Sequence, residues 1–137
     1  MGRVISTENL ATERNRLLKS MALALREMGK KSAYDEESRD LAAFLVLALD
    51  AVAESIERSV VPWEKRGYWV KADRFRMDWA WVETLRSKLR AAIKADRPDE
   101  IAMAAAVLAD KLKGVKISDK HRLGSPWHGA WRRLESA

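Results

Sequence analysis

Apolar residues return every three to four positions along most of this chain, and few residues interrupt that helical period. Only three prolines and six glycines occur among 137 residues, so there are few points at which a helix must end. The one segment with a strand-like pattern, 115–118, is too short to build a sheet. The sequence therefore predicts an all-α protein.

Capping residues and prolines divide the chain into five predicted helices. Ser6 and Thr7 are N-cap residue types, and Pro126 follows a serine as the first residue of a last helix. Proline is tolerated mainly in the first turn of a helix, so a new helix is predicted to begin at Pro62. The predicted helices span residues 8–28, 35–61, 62–96, 98–113 and 126–135. We expect a single domain, 1–137, in which an antiparallel four-helix bundle carries a short C-terminal helix packed on it.

Charge is distributed unevenly along the chain, which has a formal net charge of +6. Basic segments alternate with acidic ones, so part of the basic charge is expected to neutralise neighbouring helices. One coherent cationic row remains on the first helix, where four side chains share a sector of about 80° and span about 21 Å. They are Arg16, Lys19, Arg26 and Lys30. A row of this kind can follow a phosphate backbone, and it is also what an amphipathic helix presents to water.

The predicted helix 62–96 carries two apolar lines that lie more than about 100° apart on a helical wheel. The first line is a predicted core seam of Tyr68, Ala72, Phe75, Trp79, Val82, Leu89 and Ile93. The second line consists of Trp63, Val70, Met77 and Trp81. A cover for the second line can come from the C-terminal segment with Trp127 and Trp131, from a second subunit, or from another partner. These six residues of the second line and the C-terminal segment form the predicted partner surface.

The sequence contains no recognisable catalytic or metal-binding motif. The chain has no cysteine, which excludes disulfides, thiol catalysis and cysteine-ligated metals. The two histidines, His121 and His128, do not have the spacing of a helical metal site. A pair of carboxylates on facing helices needs no motif, but such residues are more often solvated or ion-paired. We expect a protein that is not an enzyme and that needs no cofactor or metal.

The predicted location and function follow from these patterns. The first seven residues lack the apolar core of a signal peptide, and the apolar run Leu41 to Leu49 is shorter than the about 20 residues that span a membrane. A cytoplasmic protein with no membrane partner is expected. The leading hypothesis is a non-enzymatic helical-bundle protein that acts by association, with itself or with a partner macromolecule. The alternative is a nucleic-acid-binding accessory protein that uses the cationic row and the basic C-terminal segment. An enzyme or a small-molecule sensor is the third hypothesis.

Overall fold

A computed structural model describes residues 7–136 of the chain as six α-helices. The helices are α1 (Thr7–Gly29), α2 (Glu36–Lys65), α3 (Trp69–Asp78), α4 (Ala80–Lys94), α5 (Pro98–Lys111) and α6 (Ala130–Ser136). No strand occurs within these residues, so the predicted all-α class is confirmed. Ser6, which was predicted as an N-cap, and most of the segment examined for a signal peptide lie outside the described residues.

The longest helix, α2, lies at the centre of the fold. It packs against α1, α4, α6 and α3, and its apolar residues are buried along nearly its whole length. Its side chains with no exposed surface include Leu41, Leu45, Leu49, Val52 and Val60. The helix begins after Asp35, whose carboxylate accepts a hydrogen bond from the N–H of Ser38 at 3.0 Å. This cap and the acidic first turn agree with the helix dipole.

The predicted helix boundary at Pro62 is wrong. Helix α2 continues through Pro62 and ends at Lys65, so only its last turn follows the proline. The missing N–H is tolerated there because the buried residues before it already hold the helix against its neighbours. The chain turns instead at Gly67, whose φ of 79° lies in the left-handed region that glycine adopts without a steric penalty.

The predicted helix 62–96 is three separate pieces: the end of α2, then α3, then α4. Helices α3 and α4 are separated at Trp79, which has φ −109° and ψ 11° and whose N–H donates to the carbonyl of Arg76 at 3.2 Å. A single helical wheel therefore does not apply across this region. Tyr68, predicted in the core seam, lies in the link between α2 and α3 and is exposed.

The remaining elements extend the core on either side of α2. Helix α4 packs on α2, where Arg86 and Arg90 reach the carboxylate of Asp50 at 3.2 and 2.5 Å. Helix α5 packs on α4 and contacts α1 less extensively. The last helix, α6, begins later than predicted because residues 126–129 form a turn. Within residues 7–136, no helix combines the length and the apolar character that crossing a membrane requires.

Candidate association surface

Four aromatic rings, one from each of α2, α3 and α4 and one from the break between α3 and α4, form a continuous row. The ring of Trp63 meets Phe75 nearly edge-on with centroids 5.2 Å apart. Phe75 lies 6.3 Å from Trp79, and Trp79 lies 5.9 Å from Trp81. On a single helical wheel, Trp63 and Trp81 lie on a line separate from Phe75 and Trp79. The bends at Gly67 and Trp79 bring all four rings together.

A buried arginine from α1 lies against the middle of this row. Arg14 is only 6% exposed, and its guanidinium carbon lies 5.2 Å from the ring centre of Phe75 and 5.4 Å from that of Trp79. Its Nη1 atom donates to the hydroxyls of Ser55 at 3.2 Å and Ser59 at 3.4 Å. Burial lowers the pKa of the Arg14 guanidinium. Aromatic faces and hydroxyl groups stabilise this cation.

Sequence reasoning missed the role of Arg14, although a signal was present. Arg14 follows Leu10 by four residues and precedes Leu17 by three, so it occupies the apolar face of the first helix. A cationic side chain on the apolar face of a helix indicates a buried charge, which needs polar or aromatic contacts to be stable.

The predicted partner surface is not one surface. Val70 and Met77 on α3 are exposed at 73% and 76%, whereas Trp63 and Trp81 are half-buried in the aromatic row. Trp127 is only 6% exposed and belongs to the main core. Its indole N–H has no hydrogen-bond acceptor among the described residues.

The C-terminal segment packs against the beginning of α2. The carboxylate of Asp40 accepts hydrogen bonds from the N–H groups of Gly129 at 3.1 Å and Trp131 at 2.9 Å. The guanidinium of Arg39 lies 4.3 Å from the ring centre of Trp131. Because Asp40 and Trp63 are 23 residues apart on one helix, about 35 Å separates these sites. Of the three covers considered for the second line, the C-terminal segment is therefore excluded, because Trp131 lies far from Trp63.

An apolar groove that the sequence reasoning did not find runs between α4 and α5. Its volume is about 670 Å³. It is lined by Trp81, Thr84, Leu85, Lys88, Ala91, Glu100, Met103, Ala104, Val107 and Lys111. The α5 wall includes Met103, which is 69% exposed, and Val107, which is 49% exposed. Met103 and Val107 are therefore two large apolar side chains that are exposed to water on the same helix.

Helix α5 is apolar on its exposed side as well as on its buried side. The nine residues 101–109 contain no polar side chain. Ile101, Ala104, Ala105 and Leu108 are buried, and the other five are exposed. A helix that is apolar all round is normally buried all round. The uninterrupted apolar run is the sequence signal for this exposed face.

The predicted cationic row is exposed but not continuous. Arg16, Lys19, Arg26 and Lys30 all face solvent. The Nζ of Lys30 lies 3.1 Å from the carboxylate of Glu27. Leu23 falls within the same sector of α1 and is 3% exposed, so the row is interrupted at its centre. Arg122 from the C-terminal segment lies with Arg16 and Lys19 around a cleft of about 530 Å³.

The titratable residues considered for chemistry are dispersed. The Nδ1 of His121 accepts a hydrogen bond from the N–H of Leu123 at 3.3 Å, and the ring of His128 lies 6.0 Å from that of Trp127. Among the described residues, no three histidine, aspartate or glutamate side chains come together as a metal site would require.

The chain matches no family model, no curated protein and no solved structure in the three comparisons made.

Proposed function

We propose that the protein acts by association with another protein chain and that the groove between α4 and α5 is its binding surface. In this proposal the four longest helices, α1, α2, α4 and α5, form an antiparallel bundle, and α5 is its outermost member. The more extensive packing of α5 on α4 than on α1 supports this placement. The outward face of α5 is then free to bind.

The observation that carries the proposal is the exposed apolar face of α5 beside a groove. A groove between two helices fits the apolar side chains of a third helix, which places them at intervals of three and four residues. Met103 and Val107 lie four residues apart on one wall, and Trp81 and Leu85 lie four apart on the other. Methionine and tryptophan are enriched at protein interfaces. Among the described residues that line the groove, Glu100 is the one carboxylate and there is no histidine, which favours binding over catalysis.

The exposed residues of α3 are a weaker candidate for the same function. Val70 and Met77 share a face with the charged residues Asp73 and Arg74, which are exposed beside them. The shallow groove next to Val70 has a volume of about 340 Å³, half that of the groove between α4 and α5. Charged groups at the centre of a face disfavour an interface core.

Site-specific photo-crosslinking tests the proposed surface. A photo-reactive amino acid replaces Val107 in cells of the source organism, and the same replacement at Val61 is the control. Both are valines on helices, exposed at 49% and 44%. We expect one discrete protein adduct from position 107, none from position 61, and loss of the adduct when Met103→Lys is added. No adduct at position 107, or the same adducts at both positions, would contradict the proposal.

A second candidate function, nucleic-acid binding, is favoured by one observation. The structure brings Arg122 of the basic C-terminal segment to Arg16 and Lys19 of α1, although they are over a hundred residues apart in sequence. Three cations around one cleft can contact successive phosphates. Three phosphate contacts predict that the affinity for duplex DNA falls about 40-fold between about 50 and about 200 mM salt.

Fluorescence anisotropy with a labelled duplex of mixed sequence measures this salt dependence. Lys19→Glu is expected to weaken binding and to flatten the salt dependence, whereas the control Arg26→Glu, outside the cleft, has little effect. Equal effects of the two variants, or an affinity that is insensitive to salt, would contradict nucleic-acid binding in the cleft.

A further inference from the structure

We infer that the groove between α4 and α5 binds a second copy of this chain, with the two α5 helices antiparallel about a two-fold axis. The inference rests on the association function proposed above and names the partner. It is carried by the order of the side chains along the exposed face of α5.

Four side chains lie in one row along this face, at intervals of three, four and four residues. They are Glu100, Met103, Val107 and Lys111. The row is acidic at one end, apolar in the middle and basic at the other end. The midpoint between Glu100 and Lys111 and the midpoint between Met103 and Val107 differ by half a residue, about 0.8 Å along the helix.

A two-fold axis at that midpoint makes the row complementary to itself. It places Glu100 opposite Lys111 of the second copy and Met103 opposite Val107 of the second copy. An interface with two-fold symmetry uses the same surface on both chains, so every contact occurs twice. A parallel arrangement would instead set glutamate against glutamate and lysine against lysine, which is repulsive.

The charges at the ends of α5 favour the same orientation. Its first turn contains Asp99 and Glu100, and its last turn contains Lys111. Glu100 contacts Arg97 at 3.3 Å, but both side chains are exposed and the pair is weak enough to be replaced. Antiparallel packing also aligns the helix dipoles favourably. These charges set the register, while the apolar middle of the row supplies most of the affinity.

The surroundings of the row permit a second helix to come close. Three other exposed residues of α5, Ala102, Ala106 and Ala109, have side chains of a single methyl group. The wall formed by α4 adds the half-buried Trp81 as apolar surface for the side chains of the second copy. Small residues beside larger ones are what two packed helices need for their side chains to interdigitate.

Sedimentation equilibrium of the purified full chain tests the inference. The wild type is expected to form a reversible dimer. Met103→Lys places two lysines in each dimer interface, and we expect it to raise the dissociation constant of the dimer at least about 10-fold. Met77→Lys is the matched control, because Met77 is also a highly exposed methionine on a helix but lies on α3. A dimer that both variants weaken equally, or that neither weakens, would overturn the proposed interface.

A charge exchange tests the antiparallel register. Glu100→Lys alone and Lys111→Glu alone each create two like-charge contacts in a dimer, so each is expected to weaken the dimer. A one-to-one mixture of the two variants restores both contacts as lysine with glutamate, and we expect heterodimers in that mixture. Weakened single variants without heterodimers in the mixture would overturn the antiparallel pairing.

The outcomes separate this inference from the proposed function. In one outcome the wild-type chain stays monomeric at high concentration and position 107 crosslinks to a different protein. That outcome overturns the inference of a second copy and supports association through the groove. A monomer that gives no crosslink at position 107 overturns both.

Discussion

Replacement of Arg14 tests whether the aromatic row is held by packing or by charge. With the described residues, the guanidinium makes two cation–π contacts and donates two hydrogen bonds. At about 1 kcal/mol each, they stabilise the fold by about 4 kcal/mol. Dehydration of the buried cation costs several kcal/mol, so the two contributions nearly cancel.

The packing of the side chain therefore decides the effect of each substitution. Arg14→Met keeps an unbranched chain against Phe75 and Trp79 and removes the buried charge, so we expect a change in the free energy of unfolding below about 1 kcal/mol. Arg14→Ala leaves a cavity beside the two rings, and we expect a loss of about 2–3 kcal/mol.

Urea denaturation gives the free energy of unfolding of both variants, and thermal denaturation gives their melting temperatures, each followed at neutral pH by circular dichroism and tryptophan fluorescence. The alanine variant is expected to melt roughly 10 °C below the wild type, and the methionine variant within about 5 °C of it. Equal large losses for alanine and methionine would refute the reasoning, because the polar contacts would then outweigh the cost of burying the charge. An alanine variant as stable as the wild type would show that Arg14 is not packed against the rings.

Three further predictions concern the polar contacts of Asp35, Arg76 and Asp40. Lys31 and the N–H of Ser38 hold the pKa of Asp35 at about 2, below its ordinary value. The stability that this carboxylate contributes is therefore present above about pH 4 and is lost as the pH falls through about 2. In thermal melts the difference in melting temperature between wild type and Asp35→Ala should shrink as the pH falls from about 4 to about 2. A difference that persists at about pH 2 would show that the charge of Asp35 is not its cause. Arg76→Gln, which breaks ion pairs with Glu57 and Glu64, is expected to raise the pKa of Glu64 towards its ordinary value and to speed amide hydrogen exchange in α3; equal acceleration in α4 would argue against a local effect. Asp40→Ala removes the acceptor for the N–H groups of Gly129 and Trp131, so exchange should accelerate in residues 129–136, and unchanged protection there would show that the segment is held by other contacts.

The helices that the sequence predicted well have both a sustained apolar period and a chemical signal at an end. Helix α2 begins within one residue of the predicted position 35, because Asp35 and its neighbours act locally. The break at Trp79 has no such signal, since tryptophan is neither a helix breaker nor a preferred cap. At that break the ring of Trp79 lies beside those of Phe75 and Trp81, and Arg14 of α1 packs on Trp79 from another helix, a contact that the sequence pattern does not reveal.

The candidate surface was less predictable than the fold. The sequence shows that α5 is apolar around its circumference, but which face is covered depends on the neighbours that pack against it. In the structure, Ile101 and Leu108 are buried while Met103 and Val107 are exposed, on a helix that packs mainly on α4. Likewise, a straight helical wheel separates Trp63 from Phe75. In the structure their rings are in contact, because the turn at Gly67 changes the direction of the chain between them.

Disulfide formation between two copies tests the paired α5 helices most directly. The chain has no cysteine, so a substituted cysteine has no competing thiol. Glu100→Cys and Lys111→Cys chains are mixed and oxidised, and the products are compared with those of each variant alone. We predict that the mixture forms linked heterodimers faster than either variant links to itself, because these positions face each other across the two-fold axis. Self-linked chains in excess, or no linkage at all, would contradict the antiparallel association of two copies.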